Sequence, residues 1–256
     1  MYVTVENVSK TYPHHGATFH ALNDISLEFE RGEFICLLGP SGCGKSTLLN
    51  LLAGFERPTL GRVTIDGVVV EAPSPKYVTI FQNYNLLPWR TVQKNVELGL
   101  ESGNLSKKER QERATRYLDL VGLKAFAKNH PQQLSGGMRQ RVAFAGALAV
   151  EPEIIFMDEP FGALDALTRM EMQDEFLKLQ KQQGTTIVFV THDIEEAVFL
   201  ADKVVVMTPN PGKIKRVISV NIGEVRDRTS PDFLAIRDRI FGEFELKQKD
   251  RTEYFI

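Results

Sequence analysis

The sequence predicts an α/β fold, with a mixed, mainly parallel central sheet, an N-terminal antiparallel β subdomain and a helical insertion subdomain. Short apolar runs at 34–38, 154–157 and 186–190 are typical of buried parallel strands. Apolar and polar side chains alternate before residue 33, which indicates antiparallel strands with one solvated face. Mainly helical periodicity between residues 95 and 150 predicts the insertion.

One domain accounts for the whole chain in this prediction. Residues 1–94 and 154–220 would form the core with its antiparallel β part, 95–153 the helical subdomain and 221–256 a tail helix. With 256 residues, of which 43% are hydrophobic, the chain is long enough to bury a sizeable core.

Charge and composition exclude several classes of protein. Lys and Arg number 31 against 33 Asp and Glu, a net charge of −2, so we expect no nucleic-acid partner. No apolar run approaches the roughly 18 residues that cross a bilayer, and the N-terminus lacks an export signal. We therefore expect a chain that neither spans the membrane nor is exported. The two cysteines fit a reducing cytoplasm.

A glycine-rich turn joins the strand at 34–38 to a helix that stops at Gly54. The residues of this turn are Gly39, Pro40, Ser41, Gly42, Cys43, Gly44, Lys45, Ser46 and Thr47. The spacing Gly-x-x-x-x-Gly-Lys-Ser is that of a phosphate-binding loop, in which glycines let successive N–H groups point at one anion. Lys45 can reach the terminal phosphates, and the Ser46 hydroxyl can hold Mg²⁺. A glycine turn that binds nothing is the alternative, which the flanking strand and helix disfavour.

A second polar, glycine-rich turn, Ser135-Gly136-Gly137, opens onto the helical run 142–150. The free N–H groups and the positive dipole end at a helix N-terminus favour an anion. The sequence therefore predicts two separate anion sites.

Acidic and imidazole side chains follow two of the predicted parallel strands. Asp158 and Glu159 come directly after one strand and His192 after the next. In isolation, a surface acid pair and a structural histidine are the simpler interpretations. Because strand C-termini form the ligand side of such a sheet, we expect these residues on the same edge as Lys45. One carboxylate would then serve Mg²⁺ and the other a water molecule, and His192 would take part in catalysis.

Three other segments leave two interpretations open. Tyr12 is either a surface aromatic or a face on which adenine stacks, and its segment alone favours the first. Residues 83–89 form an apolar loop that is either tucked onto the core or an exposed docking patch. An apolar stripe within 233–244 predicts a tail helix, for which packing on its own domain is favoured over a dimer contact.

With these residues in place, the chain resembles the ATP-binding subunit of an ABC transporter along nearly its whole length. The matching segments are the Walker A loop at 39–47, the Q-loop Gln82, the signature at 134–138, Walker B at 154–159, the D-loop at 163–165 and the switch histidine His192. The resemblance implies a P-loop NTPase fold with ATP and Mg²⁺ as ligands. It also favours adenine stacking on Tyr12.

Subunits of this family pair head to tail, with a second copy or a homologous ATPase subunit. The resemblance then implies that each ATP lies between Lys45 of one chain and Ser135, Gly136 and Gly137 of the other. Asp165, which by its position also caps the following helix, would contribute to the nucleotide site through the D-loop.

The resemblance also assigns roles in hydrolysis. Ser46 and Gln82 would bind Mg²⁺, with Asp158 supporting the ion through water. Glu159 would polarise the attacking water, and His192 would contact the γ-phosphate. Phosphoryl transfer depends mainly on positioning and charge neutralisation, so these parts suffice.

Finer features resemble the nitrate, sulfonate, taurine and bicarbonate import branch, namely residues 208–214, the 86–89 patch and the aromatic-rich tail. This resemblance implies a transmembrane permease as partner, an extracytoplasmic solute-binding protein acting indirectly, and a peripheral place on the cytoplasmic face of the inner membrane. Residues 82–89 would receive a short helix of the permease. Met138 and Gly146 depart from the residues that many members carry.

Two other functions stay open at this point. An ABC ATPase of a soluble assembly complex, such as an iron–sulfur scaffold, would share every motif, whereas a P-loop kinase of small molecules would not need Ser135 to Gly137. A DNA-repair or translation ATPase of this class usually carries long coiled coils or two cassettes, which this chain lacks.

Cys43, beside the phosphates, is expected to make thiol alkylation inhibitory.

Overall fold

The computed structural model describes residues 1–14, 17–81, 85–162, 164–223 and 226–252. Its contacts group the chain into two units, Met1–Pro73 with Ile187–Ile256, and Ser74–Thr186. The division into core, helical subdomain and tail that the sequence suggests remains a prediction.

In chain order the strands are β1 (Val3–His14), β2 (Ala17–Phe29), β3 (Phe34–Leu38), β4 (Leu60–Ile65), β5 (Val68–Val69), β6 (Tyr77–Ile80), β7 (Ile154–Asp158), β8 (Thr186–Thr191), β9 (Lys203–Thr208) and β10 (Lys213–Ser219). The α-helices are α1 (Lys45–Leu52), α2 (Val92–Glu97), α3 (Lys107–Leu120), α4 (Gly136–Ala149), α5 (Ala166–Gln183), α6 (Ile194–Leu200) and α7 (Pro231–Thr252). Each predicted strand and helix that falls on described residues is present.

An antiparallel sheet in the order β2-β1-β4-β5 begins the first unit. Along β2, Ile25, Leu27 and Phe29 are buried and their neighbours face outward, as the alternating pattern predicts. Asp66 and Gly67 join β4 to β5 with φ angles of 52° and 73°. Both residues are left-handed, as in the tight hairpin turn that Asp-Gly favours.

A second set of strands in the first unit has the order β10-β9-β3-β8. The apolar β3 is fully buried and pairs in parallel with both β8 and β9, while β10 runs antiparallel to β9. Leu38 lies opposite Thr191 of β8 and Val206 of β9. The segments that follow β3 and β8 therefore leave the sheet at the same edge.

The second unit combines a parallel β6–β7 pair, with Ile80 opposite Met157, and the helices α2 to α5. Helix α3 begins with the predicted capping box of Ser106 and Glu109. Helix α5 is capped by Asp165, as predicted. The core of the second unit includes the rings of Phe144, Phe161 and Phe176, whose centroids lie 4.8–6.4 Å apart.

The tail helix α7 packs on its own unit. It contacts α6, with Phe233 and Ile240 buried. Ion pairs from Lys215 and Arg216 of β10 to Glu243 hold the middle of the helix. The first half of α7 therefore packs on the first unit, the arrangement that the sequence analysis favours.

Candidate nucleotide-binding site

The phosphate loop leaves β3 and enters α1 through glycines in a left-handed backbone conformation that residues with a side chain rarely adopt. Gly42 and Gly44 have φ angles of 78° and 89°. A Cβ atom on Gly44 would also lie 2.6 Å from Leu22 Cδ2, so this position needs glycine both for its backbone angle and for space.

No side chain caps the N-terminus of α1 within the described residues, because its cap position is Gly44. The first-turn N–H groups have no intrahelical partner and point out of the helix end together with its positive dipole. This geometry suits an anion and fits the predicted phosphate site.

Lys45 lies inside this loop with its side chain curled back over it. It is 7% exposed, and its Nζ donates to the carbonyls of Gly39 at 2.7 Å and Pro40 at 3.1 Å. Ser41 and Ser46 are exposed beside it. The ammonium group is thus held where a phosphate bound to the loop would meet it.

Cys43 is fully buried under the loop rather than facing the phosphate side. Burial raises the pKa of its thiol, against the lowering effect of Lys45, whose Nζ lies 3.9 Å from Sγ. The structure therefore predicts slow alkylation of Cys43 in the folded protein, contrary to the expectation from the sequence, because a protonated, enclosed thiol is a poor nucleophile.

His192 is exposed at the end of β8, beside the end of β3, as predicted. Hydrogen bonds hold the residues on each side of His192. The Thr191 hydroxyl donates to the buried Glu196 carboxylate and accepts the Asp193 N–H at 3.0 Å. Asp193 in turn caps α6 by accepting the Glu196 N–H at 3.1 Å. These contacts hold the backbone that presents the imidazole.

Tyr12 is half-buried, and its hydroxyl donates to Glu56 Oε2. Lys10 Nζ lies 3.1 Å from the same carboxylate oxygen and 4.9 Å from the centre of the Tyr12 ring. Burial and the hydrogen bond to Glu56 raise the pKa of Tyr12 to about 12. The ring therefore has a fixed orientation, which suits a stacking surface; adenine stacking remains a prediction.

In the second unit, the acid pair lies at the end of β7. Asp158 and Glu159 are half-buried there, and Glu159 has a φ of 45°, a left-handed conformation that is uncommon for a residue with a side chain. β6 ends beside β7, so the chain after Ile80 leaves from the same edge. Gln82 lies outside the described residues.

The signature turn caps α4. The Ser135 hydroxyl accepts the Met138 N–H at 3.3 Å, and Gly136 has open space around it. A Cβ atom on Gly137 would lie 2.7 Å from Thr168 Cγ2 of α5, so glycine is required for this close approach. Asp165 caps α5 by accepting the Thr168 N–H at 3.0 Å, and this hydrogen bond lowers the pKa of its carboxyl.

The described residues contain no cluster of three or more His, Cys, Asp or Glu side chains that could hold a metal ion alone. Ser46 offers a hydroxyl oxygen and Asp158 a carboxylate oxygen, which are the hard donors that Mg²⁺ accepts. Each of these groups could be one ligand of an ion whose remaining ligands are phosphate oxygens and water.

Two residues that hold this site in shape escaped the sequence prediction. Glu56 anchors Tyr12 from a position 44 residues away, which no local pattern reveals. Gln140 is fully buried on α4, on the face that carries Gly137 and Phe144. A lone polar residue on that otherwise apolar face was the available signal.

Comparison with known proteins shows which family this chain resembles. The matching family model is that of the ABC transporter and covers residues 22–162. An uncharacterized ABC transporter ATP-binding protein of Methanocaldococcus jannaschii is 49% identical over 93% of this chain and 89% of its own length. The chain therefore belongs to the ABC transporter family. Within the family it is an ATP-binding, ATP-hydrolysing subunit, as the motifs predict.

Two further relatives match the predicted branch. The taurine import ATP-binding protein TauB of Yersinia pestis is 46% identical over 87% of this chain and 91% of its own length. The bicarbonate transport ATP-binding protein CmpC of Synechococcus elongatus is 44% identical over 99% of this chain, and this chain spans 39% of that protein. The predicted resemblance to this branch is confirmed.

Solved structures confirm the predicted fold class. A dimeric ATP-binding cassette in a post-hydrolysis state, bound to ADP and Pi, has a TM-score of 0.75 and 37% identity over 86% of this chain and 99% of that one. The cbiO1 protein from Clostridium perfringens, part of an ABC transporter complex, has a TM-score of 0.78 and 28% identity over 97% and 94%. Across the described part of the chain, none of the helices has the length and apolar character of a bilayer-crossing segment.

Proposed function

We propose that this chain hydrolyses ATP to energise import of a small anionic solute through a separate membrane permease, from the cytoplasmic face of the membrane. One observation carries the proposal. The chain holds two helix N-termini built for anions, at α1 and α4, on separate compact units. The names of the taurine and bicarbonate relatives support the solute class.

The nucleotide is shared between two copies that pair head to tail. Lys45 of one copy and Ser135 to Gly137 of the other bind opposite sides of ATP. Two large apolar side chains at the start of α5 support such an interface, since Leu167 is 75% exposed and Met170 is 43% exposed. The dimeric cassette bound to ADP and Pi supports the pairing of two copies.

Each site residue then has one task in hydrolysis. Lys45 neutralises charge on the terminal phosphates, and Tyr12 stacks on adenine. Glu159 accepts a hydrogen bond from the attacking water and orients it, while His192, at the end of β8, contacts the γ-phosphate. Mg²⁺, when bound by Ser46 and Gln82 with Asp158 behind a water, supplies further charge neutralisation.

Two substitutions test the ATP site. Lys45→Ala removes a charge-assisted contact and should weaken ATP binding by at least about tenfold. Glu159→Gln should bind ATP normally, hydrolyse it about 10³-fold more slowly and accumulate as a closed dimer in light scattering. Glu112→Gln, an equal change of charge on an exposed part of α3, is the control and should be silent. Normal turnover by Glu159→Gln would remove Glu159 from its role.

The permease would dock on a groove of about 240 Å³ in the second unit. Apolar residues of β6 and α4 line it together with Leu98, which follows α2, and Gly146 is one of the lining residues. Near the groove in sequence, Trp89 is 72% exposed, which favours the docking-patch interpretation of 83–89 over a loop tucked onto the core. Residues 83 and 84 lie outside the described part of the chain.

Filling the groove tests this docking. Gly146→Leu adds a bulky side chain to the lining of the groove, where the added Cβ meets only the Val96 Cα at 3.7 Å and the Asn95 carbonyl at 3.9 Å. Gly103→Leu, at an exposed position of the same unit, is the control. We expect Gly146→Leu to keep ATPase activity alone and to lose co-purification with the co-expressed permease. Co-purification equal to that of the control would contradict the docking site.

A transport assay distinguishes solute import from the assembly-complex function. Vesicles that contain the co-expressed permease should take up labelled taurine, an alkanesulfonate, nitrate or bicarbonate in an ATP-dependent way, and Lys45→Ala should abolish uptake. Co-purification with soluble scaffold proteins alone, and with no multi-span membrane protein, would favour the assembly-complex function instead.

A further inference from the structure

Gln140 joins the signature helix to the backbone just beyond Glu159. Its side chain is fully buried, and its Nε2 donates to the Pro160 carbonyl at 2.6 Å. No donor among the described residues reaches its Oε1. A buried amide with one unmet hydrogen bond carries a free-energy cost that an apolar side chain of the same size would avoid.

The accepting carbonyl lies within a strained turn. Glu159 is left-handed at φ 45°, and the Gly162 N–H closes the turn by donating to the Glu159 carbonyl at 3.2 Å. Pro160 stands between them, so a hydrogen bond to its carbonyl restrains the peptide that follows Glu159. Such a backbone persists only where its surroundings determine it.

Two further contacts along the same face of α4 make this connection stiff. Gly137 lies against Thr168 at the start of α5, and the ring of Phe144 meets that of Phe161 edge to face at 5.7 Å. The N-terminal part of α4 therefore connects the signature turn to the turn that follows Glu159.

This inference rests on the proposed head-to-tail dimer. In that dimer, the signature and Glu159 of one chain serve two different ATP molecules. We propose that Gln140 is a positioning residue that couples the two ATP sites: a shift of α4 when the signature binds one nucleotide reaches the Glu159 turn at the other through the Gln140–Pro160 hydrogen bond. Packed elements that have discrete arrangements carry such coupling over short distances.

The Hill coefficient of ATP hydrolysis by the full-length chain measures this coupling. We expect a value between 1 and 2 for wild type, two being the limit set by two sites, and about 1 for Gln140→Leu. Gln140→Met, which also lacks a donor but adapts its shape, serves if the leucine variant folds poorly. Light scattering with ATP, in a Glu159→Gln background, should show that both variants still dimerise.

Gln180→Leu is the matched control. Gln180 is also buried in the second unit and donates to a backbone carbonyl, that of Thr185, at 3.0 Å. That contact lies at the C-terminal end of α5, away from both turns. A purely structural role for buried glutamines would make both substitutions destabilising and leave the Hill coefficient of each unchanged.

The outcomes separate this proposal from the function on which it rests. A Hill coefficient that stays at the wild-type value in Gln140→Leu and Gln140→Met overturns the coupling role, and so does a wild-type coefficient of 1 in a protein that dimerises. Loss of dimerisation in the Gln140 variants alone also overturns it, because Gln140 would then shape the interface. Failure of the Glu159→Gln protein to dimerise with ATP overturns the proposed function and the coupling together.

Discussion

The Tyr12 hydroxyl donates to the Glu56 carboxylate at 2.5 Å, and this contact sets the orientation of the ring proposed to stack on adenine. Lys10 lies against both partners, and Asn50 donates to the other carboxylate oxygen at 3.4 Å. Aromatic side chains that lie on an edge of a sheet are otherwise free to swing between rotamers. Here a polar anchor removes that freedom before the nucleotide binds, which lowers the entropic cost of stacking.

Loss of the anchor should weaken ATP binding moderately, and loss of the ring should weaken it more. Tyr12→Phe and Glu56→Gln should each raise the dissociation constant about threefold, and Tyr12→Ala about tenfold or more, as expected for a lost hydrogen bond and a lost stack. Fluorescence titration with a labelled ATP analogue measures all three. The double variant Tyr12→Phe/Glu56→Gln should be no weaker than either single one. Additive losses would show that Glu56 acts independently of Tyr12.

The Glu56 carboxylate should make the free energy of unfolding depend on pH in the acidic range. Burial alone would raise the pKa of Glu56, but hydrogen bonds from Tyr12 and Lys10 lower it overall. A group with a depressed folded-state pKa stabilises the protein above its unfolded value, about 4.3 for Glu, and loses that effect as pH falls through the folded value. Urea unfolding should therefore separate wild type from Glu56→Gln by about 1 kcal/mol at neutral pH. The gap should close as the pH falls through the depressed folded-state pKa of Glu56; a gap independent of pH would exclude the ionised carboxylate as its source.

Both thiols should resist modification in the folded protein. Cys36 and Cys43 are fully buried, and burial raises the pKa of each. Ellman's reagent should label neither cysteine at neutral pH within minutes, and both after unfolding in guanidinium. ATPase activity after brief treatment with N-ethylmaleimide should equal that of the untreated protein. Rapid labelling of Cys43, slowed by ATP, would instead mean that the loop opens in solution.

The tail helix should contribute directly to stability. Phe233 on α7 is 1% exposed, whereas Phe241 on the same helix is 44% exposed. Phe233→Ala should lower the free energy of unfolding by about 3 kcal/mol, because it leaves a cavity in the contact with α6. Phe241→Ala, an identical change on the open face, should stay within about 0.5 kcal/mol of wild type in the same denaturant titration. Equal effects would mean that α7 is not docked as the structure has it.

Local patterns predicted most of the elements because their signals lie within a few residues. The run 34–38 is apolar throughout and forms a strand buried on both faces. Ser106 with Glu109, and Asp165 with Gly184, mark helix ends because capping depends on neighbours along the chain. The glycine spacing of the phosphate loop is equally local, since it reports a backbone bend.

These local patterns could not predict which residues far apart in the sequence contact each other. Glu56, in the loop between α1 and β4, meets Tyr12 of β1, and Gln140 meets Pro160 through the packing of a helix on a turn. Cys43 illustrates the same limit: its position in the loop indicated a thiol beside the phosphates, but the direction of its side chain places it in the core. Which way a loop residue faces depends on the elements beneath it.

The sequence alone determined the family, the fold class, and the residue types that can hold a phosphate and orient a water, because each depends on spacing along the chain. Only the tertiary structure decided which side chains hold those residues in place: Glu56 for Tyr12, Thr191 and Glu196 for the turn that carries His192, and Gln140 for the turn after Glu159. The physical reason is that a buried polar group must find its hydrogen-bond partner wherever packing brings one, however far away it lies in the chain.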